Sequence, residues 1–148
     1  MIYTIGEMAK VLELPTSTLR FYEKKGILPF IERSNGGIRM FTDKDLECLR
    51  IVECLKKSGM QLKEIESFIK MTMQGDETIN DRLKLFENRK FEVEKQIDEL
   101  QTTLQTLKYK CWYYSTAKEA GTTAALEKLT IDEIPPEFRE IKESLEKK

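Results

Sequence analysis

The sequence predicts a mainly α-helical protein, with two short helices and a hairpin near its start and one long helix in its second half. Apolar residues recur at helical spacing in short segments up to residue 75, and two adjacent glycines interrupt an alternating stretch at Gly36-Gly37. An unbroken heptad pattern then runs from Ile79 to Tyr114. The 148 residues are 40% apolar and 34% charged, which suits one modest core together with an elongated charged element.

The first two helices are predicted on either side of a proline. Thr4 and Glu7 have the spacing of a capping box, and the apolar residues behind them predict a helix over Ile5–Leu12. Pro15 follows this helix and suits the first position of a second helix, which ends near Gly26. Two short helices joined by a tight turn are typical of a helix-turn-helix.

The segment 30–41 predicts a two-stranded wing, because charged and apolar residues alternate around its glycine-rich tip. Thr42 is a capping residue that predicts a third helix over residues 43–58, and the next apolar pattern predicts a fourth over 62–73. We therefore expect a winged helix-turn-helix domain over residues 1–75.

A basic surface is predicted on the second helix and the wing. Residues 1–75 carry 12 Lys and Arg against 10 Asp and Glu, whereas residues 76–148 carry 13 against 16. A local positive patch on an otherwise acidic chain predicts a polyanion partner, and the helix-turn-helix makes double-stranded DNA the expected one; a solvated charged face is the alternative. The residues expected at the DNA are Thr16, Ser17, Arg20, Phe21, Tyr22, Lys24, Arg33, Gly37, Ile38 and Arg39.

The heptad segment predicts a dimerisation helix over residues 76–114. As a helix, its heptad stretch from Ile79 to Tyr114 is roughly 54 Å long, too long and too narrowly apolar for one small domain to bury. It needs a partner helix, most simply a second copy of the chain; an intramolecular hairpin is the alternative, although the chain has no second long heptad. The expected dimerisation residues are Ile79, Leu83, Phe86, Lys90, Val93, Ile97, Leu100, Leu104, Leu107, Cys111 and Tyr114.

The segment 115–148 is predicted to be a short packing or effector tail. Trp112, Tyr113 and Tyr114 precede it, and aromatic rings at a helix end either seal a tail onto the helix or line a pocket for a flat effector. Only 34 residues follow Tyr114, fewer than the ~40 that a chain usually needs to fold alone. A separate ligand-binding domain is therefore not expected.

Cysteine and histidine usage argues against a metal centre. Histidine is absent, and three cysteines at irregular spacing do not form a disulfide framework. Cys48 and Cys54 lie about 120° apart around one predicted helix, so they cannot chelate one ion together. We expect no metal and no cofactor. The sequence also lacks the ~20 consecutive apolar residues of a membrane span, so we expect a cytoplasmic protein without a membrane partner.

Several motifs, in order, resemble the N-terminal domain of MerR-family transcription regulators. They are Arg20-Phe-Tyr-Glu-Lys-Lys-Gly-Ile-Leu28, Arg33, Gly37-Ile-Arg39-Met-Phe41, Asp45-Leu46 and Gly59-Met-Gln-Leu-Lys-Glu-Ile65. The chain departs from the family at Phe21, Ile38 and Phe41, where tyrosine is frequent. The resemblance implies a homodimer held by an antiparallel two-helix coiled coil, with the two second helices in successive major grooves of a pseudo-palindromic operator.

The resemblance also implies a regulator and not an enzyme. An effector, either a small molecule or an electrophile, would change how the dimer distorts promoter DNA for RNA polymerase. Cys54 resembles the single cysteine of the aldehyde- and thiol-stress-responsive branch, and Arg50 and Lys57 on its side of the helix favour a thiolate. A small buried core filler is the alternative for Cys54. The alternative function is a coiled-coil architectural protein that binds DNA without sensing.

Overall fold

The computed structural model describes residues 1–29 and 31–147, and the chain packs into two compact units, Met1–Val93 and Glu94–Lys148. Phe30, the first residue of the predicted wing, and Lys148 of the predicted tail lie outside the described residues. The mainly helical class with a small sheet and one long helix is confirmed. In chain order the elements are β1 (Ile2–Tyr3), α1 (Ile5–Leu12), α2 (Thr16–Lys24), β2 (Glu32–Arg33), β3 (Arg39–Thr42), α3 (Asp43–Lys57), α4 (Leu62–Gln74), α5 (Ile79–Ala120), α6 (Ala124–Glu127) and α7 (Pro136–Glu146), with 3-10 turns at Asp76–Thr78 and Ile131–Glu133.

The helix-turn-helix consists of α1 and α2. The predicted capping box forms at the start of α1, where the Glu7 carboxylate accepts a hydrogen bond from the Thr4 N–H at 2.7 Å. At the other end of α1, Glu13 adopts a left-handed conformation with φ of 55°, which turns the chain toward Pro15 and α2. Each helix buries one face, and the buried residues are Met8, Ala9, Leu19 and Tyr22.

The wing belongs to a three-stranded antiparallel sheet of order β1-β3-β2. The sequence did not predict β1, because a strand of two residues is too short to show an alternating pattern. At the tip of the β2–β3 hairpin, Gly37 has a φ of 78° and its N–H bonds to the Ser34 carbonyl at 2.8 Å. Arg33 lies directly opposite Arg39 across this hairpin.

The core of the first unit lies between the helix-turn-helix, the sheet, α3 and α4. A second capping box at Thr42 and Asp45 starts α3 directly from β3. The core extends into the beginning of α5, where the Phe86 ring packs edge-on against Phe68 with centroids 5.3 Å apart. The first compact unit therefore includes the beginning of α5 and ends at Val93. Its buried helix residues after the sheet are Leu46, Leu49, Val52, Leu55, Ile65, Phe68 and Ile69.

The second unit contains the C-terminal part of α5 and the tail. Helix α5 continues beyond the predicted end at Tyr114 and stops at Ala120, where Gly121 has a φ of 74°. The tail returns to α5 and forms a small second core of Tyr109, Ile134 and Phe138. Among the described residues, no helix is both long enough and apolar enough to cross a membrane.

Candidate nucleic-acid interface

The exposed face of α2 carries most of the predicted DNA contacts. Ser17, Arg20 and Lys24 are exposed, and Thr16 is half-buried at the start of the helix. Phe21 is also exposed, with its ring 5.8 Å from the Lys25 ammonium. Hydroxyl and guanidinium groups on one side of a short helix suit contacts with phosphates and base edges.

Tyr22 is the exception, because it is buried, and its direct contact with DNA stays a prediction. Its side chain is 1% exposed, its hydroxyl donates to Glu53 Oε1 at 2.7 Å, and the hydroxyl oxygen accepts from Lys56 Nζ at 2.7 Å. Burial raises the pKa of Tyr22, and the hydrogen bond from Lys56 opposes this effect. Tyr22 therefore ties α2 to α3, and it also lines an open surface groove together with Ser17 and Phe21 among others.

The wing brings Arg33 and Arg39 next to α2, because both side chains contact Glu23. Arg33 Nη2 donates to Glu23 Oε1 at 3.0 Å, and Arg39 Nε donates to Glu23 Oε2. Gly37 and Ile38 form the exposed tip beside them. Apart from Tyr22, the predicted DNA residues thus lie on α2 and the wing, where all are exposed except the half-buried Thr16 and Arg39.

Glu23 is a site residue that the sequence reasoning missed. The guanidinium of Arg39 holds the pKa of the Glu23 carboxyl below its ordinary value, and Arg33 acts in the same direction against the opposing effect of burial. Its only sequence signal was an acidic residue among the cations that end α2. That signal does not show a pairing with residues 10 and 16 positions away.

The predicted dimerisation residues form an exposed apolar stripe along α5, which we call the seam. Leu100 is 67% exposed, Leu107 57% and Ile97 50%. Lys90 and Cys111 are exposed as well, whereas Val93 is half-buried. Large apolar side chains exposed at heptad spacing are what a self-pairing helix presents, and their role in a dimer stays a prediction.

The tail packs on a different face of α5 from the seam. Trp112 lies 5.9 Å and Tyr109 6.0 Å from the Phe138 ring, centroid to centroid, and Tyr113 packs against the same cluster. This is the first of the two alternatives for the aromatic cluster, in which the rings seal the tail onto the helix. Tyr114 is 60% exposed and belongs to the seam.

The three cysteines differ in accessibility. Cys54 and Cys111 are exposed, so the alternative that Cys54 is a buried core filler is wrong. Cys54 lies in an open surface groove that also contains Arg50 and Lys57, as the helical spacing predicted. Cys48 is half-buried, and burial raises the pKa of its thiol above the ordinary value, with smaller contributions from the charges of Asp45 and Glu47.

Comparisons with known proteins find DNA-binding regulators that this chain resembles. The family profile described as "MerR HTH family regulatory protein" matches residues 3–72, and that described as "MerR, DNA binding" matches residues 46–109. An uncharacterized HTH-type transcriptional regulator of Haemophilus influenzae is 45% identical over 126 residues, which are 85% of this chain and 93% of that protein.

Two solved structures share the fold at high identity. One is the crystal structure of HiNmlR, a MerR family regulator lacking the sensor domain, bound to promoter DNA. The HiNmlR chain is 46% identical in sequence to this one, with a TM-score of 0.76. The match covers 84% of this chain and 99% of the HiNmlR chain. A MerR family transcriptional regulator from Bacillus thuringiensis is 38% identical with a TM-score of 0.69, covering 75% of this chain and 97% of its own. The resemblance therefore includes the long helix as well as the winged unit.

Proposed function

The chain belongs to the MerR family of DNA-binding transcriptional regulators, and from this premise we propose that it binds a pseudo-palindromic promoter operator as a homodimer. The observation that supports this most directly is the exposed basic surface formed by α2 and the wing. A relative that is 46% identical to this chain is described as bound to promoter DNA. The protein is thus a regulator and not an enzyme, and promoter DNA as its partner assigns it to the cytoplasm.

Two copies of α2 would enter successive major grooves of one operator. Each copy offers Arg20 and Ser17 to base edges, while the wing offers Arg33 and Arg39 to the flanking phosphates. Pairing through the seam supplies the second copy, since an antiparallel coiled coil buries the exposed side chains of α5. Joining two half-site contacts in one molecule raises the affinity without any new kind of contact.

Arg20 provides the test of the DNA surface. We expect Arg20→Ala to weaken binding to the operator, selected by the wild-type protein from a pool of randomised duplexes, by on the order of tenfold or more, because a bidentate contact from one arginine is lost. The measurement is a Kd at several salt concentrations. Lys118→Ala, which removes an exposed cation from the end of α5, is the control and should leave the Kd and its salt dependence unchanged. An Arg20→Ala protein that matches this control would contradict the assignment.

We further propose that an effector changes the output by altering how the dimer bends and untwists the promoter. A promoter whose two polymerase elements are misaligned becomes readable when the DNA between them is distorted. RNA polymerase is then a partner through the promoter. The alternative, an architectural protein that binds DNA without sensing, predicts the same binding but no response to any effector.

Cys54 is the proposed sensor, and an aldehyde or thiol oxidant is the proposed class of effector. Its thiol is exposed, and the groove around it contains two cationic side chains, Arg50 and Lys57, beside two carboxylates, Glu13 and Glu53. Glu53, the residue before it, bonds to Tyr22 of α2, so modification at this point of α3 lies next to a direct contact with the DNA-reading helix.

Reaction of the thiols tests this sensor. We expect Cys54 to be labelled faster than Cys111 and much faster than the half-buried Cys48, whose raised pKa keeps the thiol protonated. In a reporter strain, Cys54→Ser should abolish induction by an aldehyde while DNA affinity stays at the wild-type value. Cys111→Ser is the matched control, since it removes the other exposed thiol. Full induction in the Cys54→Ser strain would remove Cys54 as the sensor, and silence of the wild type toward every electrophile would favour the architectural alternative.

A further inference from the structure

Glu23 connects α2 to the wing through two arginines. Its two carboxylate oxygens accept hydrogen bonds from different side chains, Oε1 from Arg33 Nη2 at 3.0 Å and Oε2 from Arg39 Nε. Arg33 and Arg39 are direct cross-strand partners in the β2–β3 pair. One carboxylate of the DNA-reading helix therefore bridges both cations of the wing.

The bridge removes an electrostatic conflict within the wing. Like charges directly opposite each other on neighbouring strands are destabilising. The Glu23 side chain is 23% exposed and that of Arg39 is 26% exposed, so water screens this contact less than it would a fully exposed ion pair. With Glu23 between them, the three side chains carry a net charge of +1 instead of two adjacent and uncompensated positive charges.

The base of the wing is fixed by β3, which pairs with β1 and buries Phe41 in the core. The outer strand β2 has only two residues, and it pairs with β3 alone. Arg33 reinforces the hairpin by donating from Nη1 to the Gly37 carbonyl at 3.1 Å. The contacts of Glu23 thus add a direct connection between α2 and the two arginines of the hairpin.

Both arginines keep donors for a second anion. A guanidinium has five N–H donors in a planar fork, and Arg39 uses its Nε for Glu23. A phosphate placed in line with the free donors can bind while the carboxylate stays paired. A phosphate in another position meets the negative charge of Glu23 instead.

We propose that Glu23 is a positioning residue for DNA recognition, which holds Arg33 and Arg39 at a set angle to α2 and so favours the operator over other duplexes. This inference rests on the proposed function, in which α2 and the wing contact one DNA molecule. Loss of the carboxylate frees both arginines to follow any phosphate backbone. Affinity for non-operator DNA then rises, and affinity for the operator falls.

Glu23→Gln tests the role in the full-length protein, because glutamine keeps the shape of the side chain and removes its charge. The probes are the selected operator duplex and a duplex of the same length with scrambled sequence, each titrated over a range of salt concentrations. On the scrambled duplex we expect tighter binding, with a salt slope steeper by up to about one unit. The ratio of operator to scrambled affinity should fall on the order of tenfold, equivalent to about 1.4 kcal/mol.

Glu32→Gln is the matched control. Glu32 lies exposed on β2 beside Arg33, and it forms no ion pair in the part of the chain that the structure describes. Removing its charge should strengthen binding to both duplexes alike and leave their ratio unchanged. If Glu23→Gln shows the same pattern as Glu32→Gln, Glu23 contributes only its charge and the inference is overturned.

Glu23→Asp gives a second measurement that does not depend on a change of charge. The shorter side chain keeps its carboxylate but does not span both arginines, so operator affinity should fall while affinity for the scrambled duplex stays at the wild-type value. Unchanged operator affinity would also overturn the inference. A wild-type protein that selects no operator would contradict the proposed function itself, whereas normal selection with an unaffected Glu23 variant rejects only the role of Glu23.

Discussion

Replacing Ile97 and Leu100 together by aspartate should convert the protein to a monomer and lower its operator affinity by on the order of 10²–10⁴-fold, the range by which joining two binding modules raises affinity. Both side chains are large, apolar and at least half exposed in the single chain, at the centre of the seam. Pairing the seam would bury them, so two unpaired carboxylates per helix would oppose association. Sedimentation and a duplex titration at one protein concentration measure the two effects.

Lys95→Asp is the control for this pair of substitutions. It changes the net charge by the same two units, and Lys95 is exposed about 160° around α5 from Ile97. We expect this variant to remain dimeric. A double mutant that sediments as a dimer would place the interface elsewhere, while a monomer with wild-type operator affinity would contradict the two-half-site mechanism.

Leu49→Ala should unfold the DNA-binding unit at a much lower temperature than the wild type. Leu49 is completely buried at the centre of α3, where α3 meets the helix-turn-helix and α4. Truncating such a residue leaves a cavity and costs about 2–5 kcal/mol. In a unit of this size each kcal/mol corresponds to a shift in Tm of roughly 4–8 °C, so the expected decrease is at least about 8 °C.

Ile51→Ala is the matched control on the same helix. Ile51 is 38% exposed, so truncating it leaves no enclosed cavity, and the higher helix propensity of alanine partly offsets the loss of its partial burial. Its Tm should stay close to that of the wild type in the same thermal scan. Equal decreases for the two variants would mean that α3 does not pack as described.

The periodic segments of the first unit were predictable because their signals are local. The capping boxes at Thr4 and Thr42 each join residues three positions apart; the first formed as predicted, and Thr42 caps α3 as predicted. The predicted start of α2 near Pro15 differs by one residue from the observed start at Thr16, since proline takes the N-cap position. Strand β1 was not predictable, because its two residues acquire their structure only by pairing with β3.

The site residues were less predictable than the helices that hold them. Arg20 and Lys24 are exposed on α2 as the pattern indicated, but Tyr22 on the same helix is buried. A tyrosine on a short amphipathic helix suits either face, and its place is decided by partners on α3, 31 and 34 residues away. The seam residues remain predicted dimer contacts, although their exposure in the single chain is what a self-pairing helix requires.

By itself, the sequence determined the fold class, the winged helix-turn-helix, the family and the long helix with its heptad. The structural elements follow from caps, glycines and apolar spacings within a few residues of one another, where backbone geometry alone relates sequence to structure, whereas the family followed from the resemblance of several motifs in order. Only the tertiary structure decided that Glu23 bridges the two wing arginines, that Tyr22 joins α2 to α3, and that Cys54 is exposed. The physical reason is that burial and ion pairing depend on which distant segments pack together, and a local sequence pattern does not specify that packing.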